Sequence, residues 1–171
     1  GQGVGSMVVL KDGLSVIIPG LDAWYIERSS RKQRIPGDVV VVDKNLSEAL
    51  GVNHFVQPPA IGVSEEKDSD GLPVMVFPRW VTCSNCSRLE RLGPSDTRRT
   101  NCPECESSGK KFAKRIQVNF VVACEAGHLD EFPWIEYVHR SHSLLGCGAP
   151  RLELKSRGVG DLKGLIAKCL N

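Results

Sequence analysis

Two copies of one short pattern, Cys83-Ser-Asn-Cys86 and Cys102-Pro-Glu-Cys105, carry the strongest chemistry in the sequence, and 15 residues separate them. A Cys-x-x-Cys turn presents two thiolates to one ion, and two such turns about 15–20 residues apart are the ligand pattern of a tetrahedral zinc site. Four thiolates leave no coordination position for water. Cys83, Cys86, Cys102 and Cys105 are therefore expected to hold one structural Zn(2+). Zinc binding of about 10–16 kcal/mol, as in finger peptides, would exceed what so small a loop gains from its own core. Two redox dithiols, unrelated buried cysteines and an iron–sulfur cluster are the alternatives, and the paired spacing favours zinc over each.

A second set of ligand types lies downstream. Cys124-Glu-Ala-Gly-His128 has the Cys-x₃-His spacing of a metal-ligand pair, and Cys147 and Cys169 could complete a second zinc site with them. The long gaps leave open the alternative of reduced, half-buried thiols behaving as small hydrophobes. The string His128-Leu-Asp-Glu131 also permits a metal-dependent nuclease or hydrolase using His128 and its neighbouring acids. Such a site needs further carboxylates that no spacing locates, and Asp130 and Glu131 sit where the start of a helix favours acids. No catalytic residue is assigned, and the chain is read as a non-enzyme. Gly1 to Gly5 lacks the Gly-Lys-Ser/Thr ending of a phosphate loop. Arg157 to Asp161 reads as a flexible helix start rather than an anion nest.

Charge is distributed unevenly. The whole chain has 22 Lys+Arg against 20 Asp+Glu, a net +2, which excludes a histone-like polycation and an acidic solvating tail. Residues 79 to 115 alone carry a net +5. Arg88, Arg91, Arg98, Arg99, Lys110, Lys111, Lys114 and Arg115 are thus candidate nucleic-acid contacts, against the plainer reading of a solvated ribbon surface. Few aromatics interleave with them, so base stacking has little support.

The elements that must position these groups are short. Residues 7–10 and 14–18 read as two strands joined by Lys11-Asp12-Gly13, with Gly13 free to take a positive φ. Val39 to Val42 reads as a buried strand, and Leu46 to Leu50 as a helical turn closed by Gly51. Further strands are expected over 73–77 and 116–124, with helices over about 134–140 and 161–168. In the last of these, Leu162, Leu165 and Ile166 would share one face. Trp24, Trp80 and Trp134 are read as core. The expected class is α+β: a small mixed β-sheet core with short helices and a zinc-ribbon-like insert. Residues 1–78 form its N-terminal β-rich part, 79–115 the insert and 116–171 a C-terminal α/β part.

With 171 residues, 41% hydrophobic and 25% charged, the chain has the composition of a globular domain rather than a disordered one. Seven cysteines, an odd number, fit a reducing compartment better than a disulfide framework. No apolar run approaches the roughly 18 residues that span a bilayer, and no signal peptide is visible, so a cytoplasmic location without membrane contact is expected. The start at Gly1 and the stop just after Cys169 suggest part of a longer polypeptide, or a split one.

Several strings converge on a known family. Gly3-Val-Gly-Ser-Met7, Val16 to Trp24 and Phe77-Pro-Arg-Trp80 resemble the N-terminal region of the DrmB family of DISARM anti-phage systems. The most specific match is Phe120-Val-Val-Ala-Cys-Glu-Ala-Gly-His-Leu-Asp-Glu-Phe-Pro-Trp134, followed by Val138-His139, and Leu162 to Cys169 is also similar. The resemblance implies a defence component that works on invading DNA with a DrmA-like ATP-dependent helicase or another subunit of the system. Any ATPase activity would then lie in that helicase. This chain would serve as a DNA-binding or scaffold module, with a protein-interaction module and the nuclease as the other readings.

Overall fold

A computed structural model of the chain describes residues 3–26, 30–59, 71–93, 96, 101–110, 112–141, 147–156 and 164–171. Two units divide it: Gly1–Asp12 with Val16–Met75, and Gly13–Ser15 with Val76–Asn171. The class is α+β, with several small sheets and three short α-helices among the described residues.

Gly13 takes φ +79° at the turn between β1 (Met7–Val9) and β2 (Ser15–Ile17), where a side chain would be strained. Val16, Ile18 and Trp24 are among the buried apolar residues of the first unit. The strand expected over residues 39–42 shrinks to β3 (Val40–Val41), which pairs antiparallel with β4 (Phe55–Val56). It is not buried: Val41 and Val42 are 39% and 68% exposed. A two-stranded ribbon offers only one face for covering, so a β-branched run there stays half in water. Between these strands lies α1 (Lys44–Leu50). The Asp43 side chain accepts from the Leu46 amide at 3.0 Å, and Gly51 at φ 65° closes the helix.

β5 (Met75–Val76) lies where the chain passes from the first unit to the second. The second unit is organised by a five-stranded sheet. Its strands are β6 (Trp80–Cys83), β7 (Arg88–Arg91), β8 (Arg115–Gln117), β11 (Leu152–Ser156) and β12 (Leu165–Cys169), in the order β12-β11-β7-β6-β8. All four pairings are antiparallel. Strands of the cysteine-bearing segment thus share one sheet with the C-terminal strands. A short helix, α2 (Pro103–Ser107), precedes β8, and a small ribbon of β9 (Val121–Ala123) and β10 (Leu129–Glu131) follows it. The last helix, α3 (Trp134–His139), packs against β12.

Three expectations change here. The single strand expected over 116–124 is two, β8 and β9, because the Phe120 amide donates back to the Val118 carbonyl at 2.9 Å and turns the chain. The helix expected over 161–168 is replaced by the strand β12, residues 157–163 lying outside the described residues. Leu165, Ala167 and Cys169 alternate inward along it, and full antiparallel pairing with β11, from Leu165 opposite Ser156 to Cys169 opposite Leu152, supplies its hydrogen bonds. Residues 165–169 alternate with the two-residue period of a strand, and one ready sheet edge supplies the partners that a strand needs. Finally, Glu131 ends β10 instead of opening a helix. Its side chain is 8% exposed, and its carboxylate accepts from the Arg79 amide and from Arg91 Nε, each at 2.5 Å.

The core of this unit is Trp80, Leu89, Val118, Trp134, Leu152 and Leu154. All three tryptophans are at most 8% exposed, as core residues are. Phe120, Phe132 and Tyr137 surround Trp134 with ring centroids 5.4, 4.6 and 6.4 Å away in tilted or edge-on arrangements. Among the described residues, no helix is long and apolar enough to cross a membrane. Trp134→Ala should cost about 3–5 kcal/mol of stability, read as a lower urea midpoint with an unchanged slope; a shift below about 1 kcal/mol would remove Trp134 from the centre of the core.

Candidate metal centre

Both Cys-x-x-Cys pairs are shaped by local backbone constraints. Cys83 is the last residue of β6, and residues 84–86 turn the chain into β7, with Ser87 at φ 60° completing the reversal. Cys102 stands at the N-cap position of α2, Pro103 occupies the first helical turn, and Cys105 follows within it. Proline suits that turn because its missing N–H would have no helical acceptor. The second pair therefore rests on a helix start, not on a second hairpin. Two backbone bonds hold it in place: Cys102 N–H to the Ala113 carbonyl and Lys110 N–H to the Cys105 carbonyl, both 2.8 Å.

The four sulfurs meet. All Sγ atoms of Cys83, Cys86, Cys102 and Cys105 lie within 4.8 Å of one another. Cys83 and Cys105 approach to 3.7 Å, and Cys86 and Cys102 to 3.8 Å. A tetrahedron with metal–sulfur bonds of about 2.3 Å has edges of about 3.8 Å, so the cluster fits a four-coordinate ion without rearrangement. Cys102 is fully buried, and Cys83 and Cys105 nearly so, packed with Ala113.

Hydrogen bonds divide the thiols into unlike members. Burial pushes Cys83 up, but amide donation from Cys86 and Asn85 outweighs it, leaving the pKa at about 7. Burial drives Cys86 up to about 12, and it raises Cys102 as well. The Asn85 side-chain amide also donates to Cys105 Sγ at 3.4 Å. Without a cation, four adjacent thiolates would repel one another in a desolvated space; a divalent ion removes that conflict. Glu104, inside the second pair, binds Arg88 of β7 at 2.9 Å and also Arg151. These ion pairs tie α2 across the sheet.

A second cluster forms elsewhere, with a different membership from the expected one. Cys147 and Cys169 do meet, with sulfurs 3.7 Å apart, but a ring nitrogen of His139 completes their group within 4.8 Å. Cys124 and His128 instead pair with each other at 3.3 Å, both exposed, across the turn from β9 to β10. His128 belongs to no group of three or more metal-type ligands among the described residues. The reason is topological: β12 pairs with β11 and packs against α3, which brings Cys169 to the end of that helix rather than to the β9–β10 turn. His139, spaced irregularly from either cysteine, carried no motif in the sequence. Backbone N–H groups of Asn171 and Arg151 outweigh burial at Cys169 and hold its pKa at about 7. Burial raises Cys147, and the Ile135 carbonyl, followed by Cys169, raises His139. Both clusters could hold a metal ion.

The basic residues are less free than their count implies. Arg88 meets Glu104 and Glu90, Arg91 meets Glu131, and the 9%-exposed Arg115 reaches Glu90 at 2.8 Å and Asp96 at 2.9 Å. Lys110 and Lys114 are exposed. Arg98, Arg99 and Lys111 lie outside the described residues.

Residues 1–171, the whole chain, match the family described as a domain of unknown function, DUF8724. The DISARM protein DrmB of Bacillus paralicheniformis is 34% identical over 138 residues, which cover 75% of this chain and 22% of that protein. The chain thus spans about a fifth of the length of the relative it matches.

Loading the metal-free chain with zinc in weak buffer near about pH 8 should acidify the solution, because Cys86 and Cys102 must lose protons to become ligands. The sign follows: affinity weakens as pH falls and protons compete for sulfur. A pH-indicator titration yielding no proton release would show that these thiols do not ligate.

Proposed function

This chain belongs to the DUF8724 family and is a DrmB-like protein, and on that premise we propose that it is a non-catalytic, zinc-braced scaffold in a prokaryotic anti-phage defence complex. The closed four-thiol centre carries this reading. Its sulfurs are spaced for a tetrahedral ion, soft thiolates select zinc over hard cations such as magnesium, and no position remains for a reactive water. Such an ion braces the β6–β7 turn against α2 and gives the sheet a rigid face. The surface it stiffens is offered to a helicase or another subunit of the defence system, and nucleotide hydrolysis belongs to that helicase.

A protein surface is favoured over a DNA groove because Arg88, Arg91 and Arg115 are already neutralised by Glu90, Glu104, Glu131 and Asp96. Charges committed to internal acids release few counterions from a nucleic acid. Lys110 and Lys114, exposed beside the metal centre, support DNA contact as the second reading.

Co-expression with the remaining subunits of a DISARM-type system, followed by affinity capture of this chain, tests the assignment. The wild-type chain should retain a helicase subunit, and Cys102→Ser/Cys105→Ser should lose it together with about one zinc per chain. Salt-sensitive DNA binding abolished by Lys110→Ala/Lys114→Ala, without subunit capture, would replace the scaffold by the DNA reading. Divalent-metal-dependent DNA cleavage lost in His128→Ala would overturn both.

A further inference from the structure

We propose that His139, Cys147 and Cys169 form a second zinc site, which pins the end of α3 to the edge strand β12. The ligand atoms of the three residues lie within 4.8 Å of one another, with the sulfurs 3.7 Å apart. That separation is close to the tetrahedral edge of about 3.8 Å and far beyond the about 2.05 Å of a disulfide bond.

The histidine supplies the more telling observation. His139 is 9% exposed, and its Nδ1 lies 2.7 Å from the Ile135 carbonyl, one helical turn back. A carbonyl only accepts, so Nδ1 carries the proton and Nε2 presents a lone pair. That Nε2 is buried and has no hydrogen-bond partner among the described residues. A buried imidazole nitrogen without a partner is costly, whereas a metal-ligating histidine characteristically donates its other ring N–H to a carbonyl, which fixes tautomer and orientation. Two sulfurs and one such nitrogen are a soft-to-borderline donor set suited to zinc. They fill three of four tetrahedral positions.

The site has a structural consequence distinct from that of the four-thiol centre. Among the described residues, β12 is the outer strand of the five-stranded sheet, paired on one side only, with β11. Outer strands are prone to fray or to pair with other chains. Ligation of Cys169, the last residue of β12, by an ion also bound to α3 fastens that edge from the helix side.

The 171-residue chain, purified under reducing conditions and assayed for metal, should carry about two zinc ions, falling to about one in Cys169→Ser and in His139→Ala. Cys83→Ser/Cys105→Ser should likewise retain about one, so failure of the four-thiol centre and failure of this site give different patterns. Should the single variants not fold, cobalt substitution of the wild-type chain decides the matter. Charge-transfer intensity matching six Co–S bonds per chain, four from the first cluster and two from the second, is expected. About one metal per chain with only four Co–S bonds, unaffected by Cys169→Ser, would overturn the proposal.

Discussion

Four thiols held within 4.8 Å of one another are the constraint around which the second unit is arranged. Desolvation favours protonated sulfur, and the amides around Cys83 favour ionised sulfur; the two demands act on neighbouring atoms and are reconciled by a shared cation. The chain makes the arrangement with little secondary structure: one strand end, one turn with a positive φ at Ser87, and a five-residue helix begun by proline. None of these would hold position alone. Cys102 and Cys105, 16 and 19 residues beyond Cys86, are held by the two backbone bonds to Ala113 and Lys110, by the Asn85 amide and by the ion pairs of Glu104.

Ion pairing spreads that order into the sheet. Glu90, Glu104 and Glu131 each engage two arginines, so the four described arginines between residues 79 and 115 are spent on internal cohesion. Arg115 illustrates the balance. Its guanidinium is buried between Glu90 and Asp96, where an unpaired charge would be prohibitive. In a segment that reads as a cationic patch in one dimension, Arg79, Arg88, Arg91 and Arg115 are paired with acids, while Lys110 and Lys114 stand exposed.

The aromatic core and the C-terminal strands complete the frame. Trp134 opens α3 and packs among Phe120, Phe132 and Tyr137, while Leu152 and Leu154 of β11 enter the same core from the sheet. β11 joins β7, the strand that follows the first metal-binding turn, to β12, the strand that ends in Cys169. Each metal-type cluster thereby takes one cysteine from the same sheet, Cys83 at the end of β6 and Cys169 at the end of β12.

The four-thiol centre was legible from the sequence because its ligands come in local pairs, and three-residue spacing is itself a geometric statement about a turn. The same logic misled at Cys124 and His128: their spacing does bring them together, but as an exposed pair, with no third ligand among the described residues. Composition and local apolar patterning were enough for the α+β class, for the helix opened by Trp134 and for the turn at Gly13. They could not decide that residues 165–169 form a strand, since five residues fit either period and only the waiting edge of β11 selects one. That choice places Cys169 beside His139. Tertiary pairing, not spacing, therefore made the second cluster, because its ligands sit on separate elements whose proximity no local rule encodes.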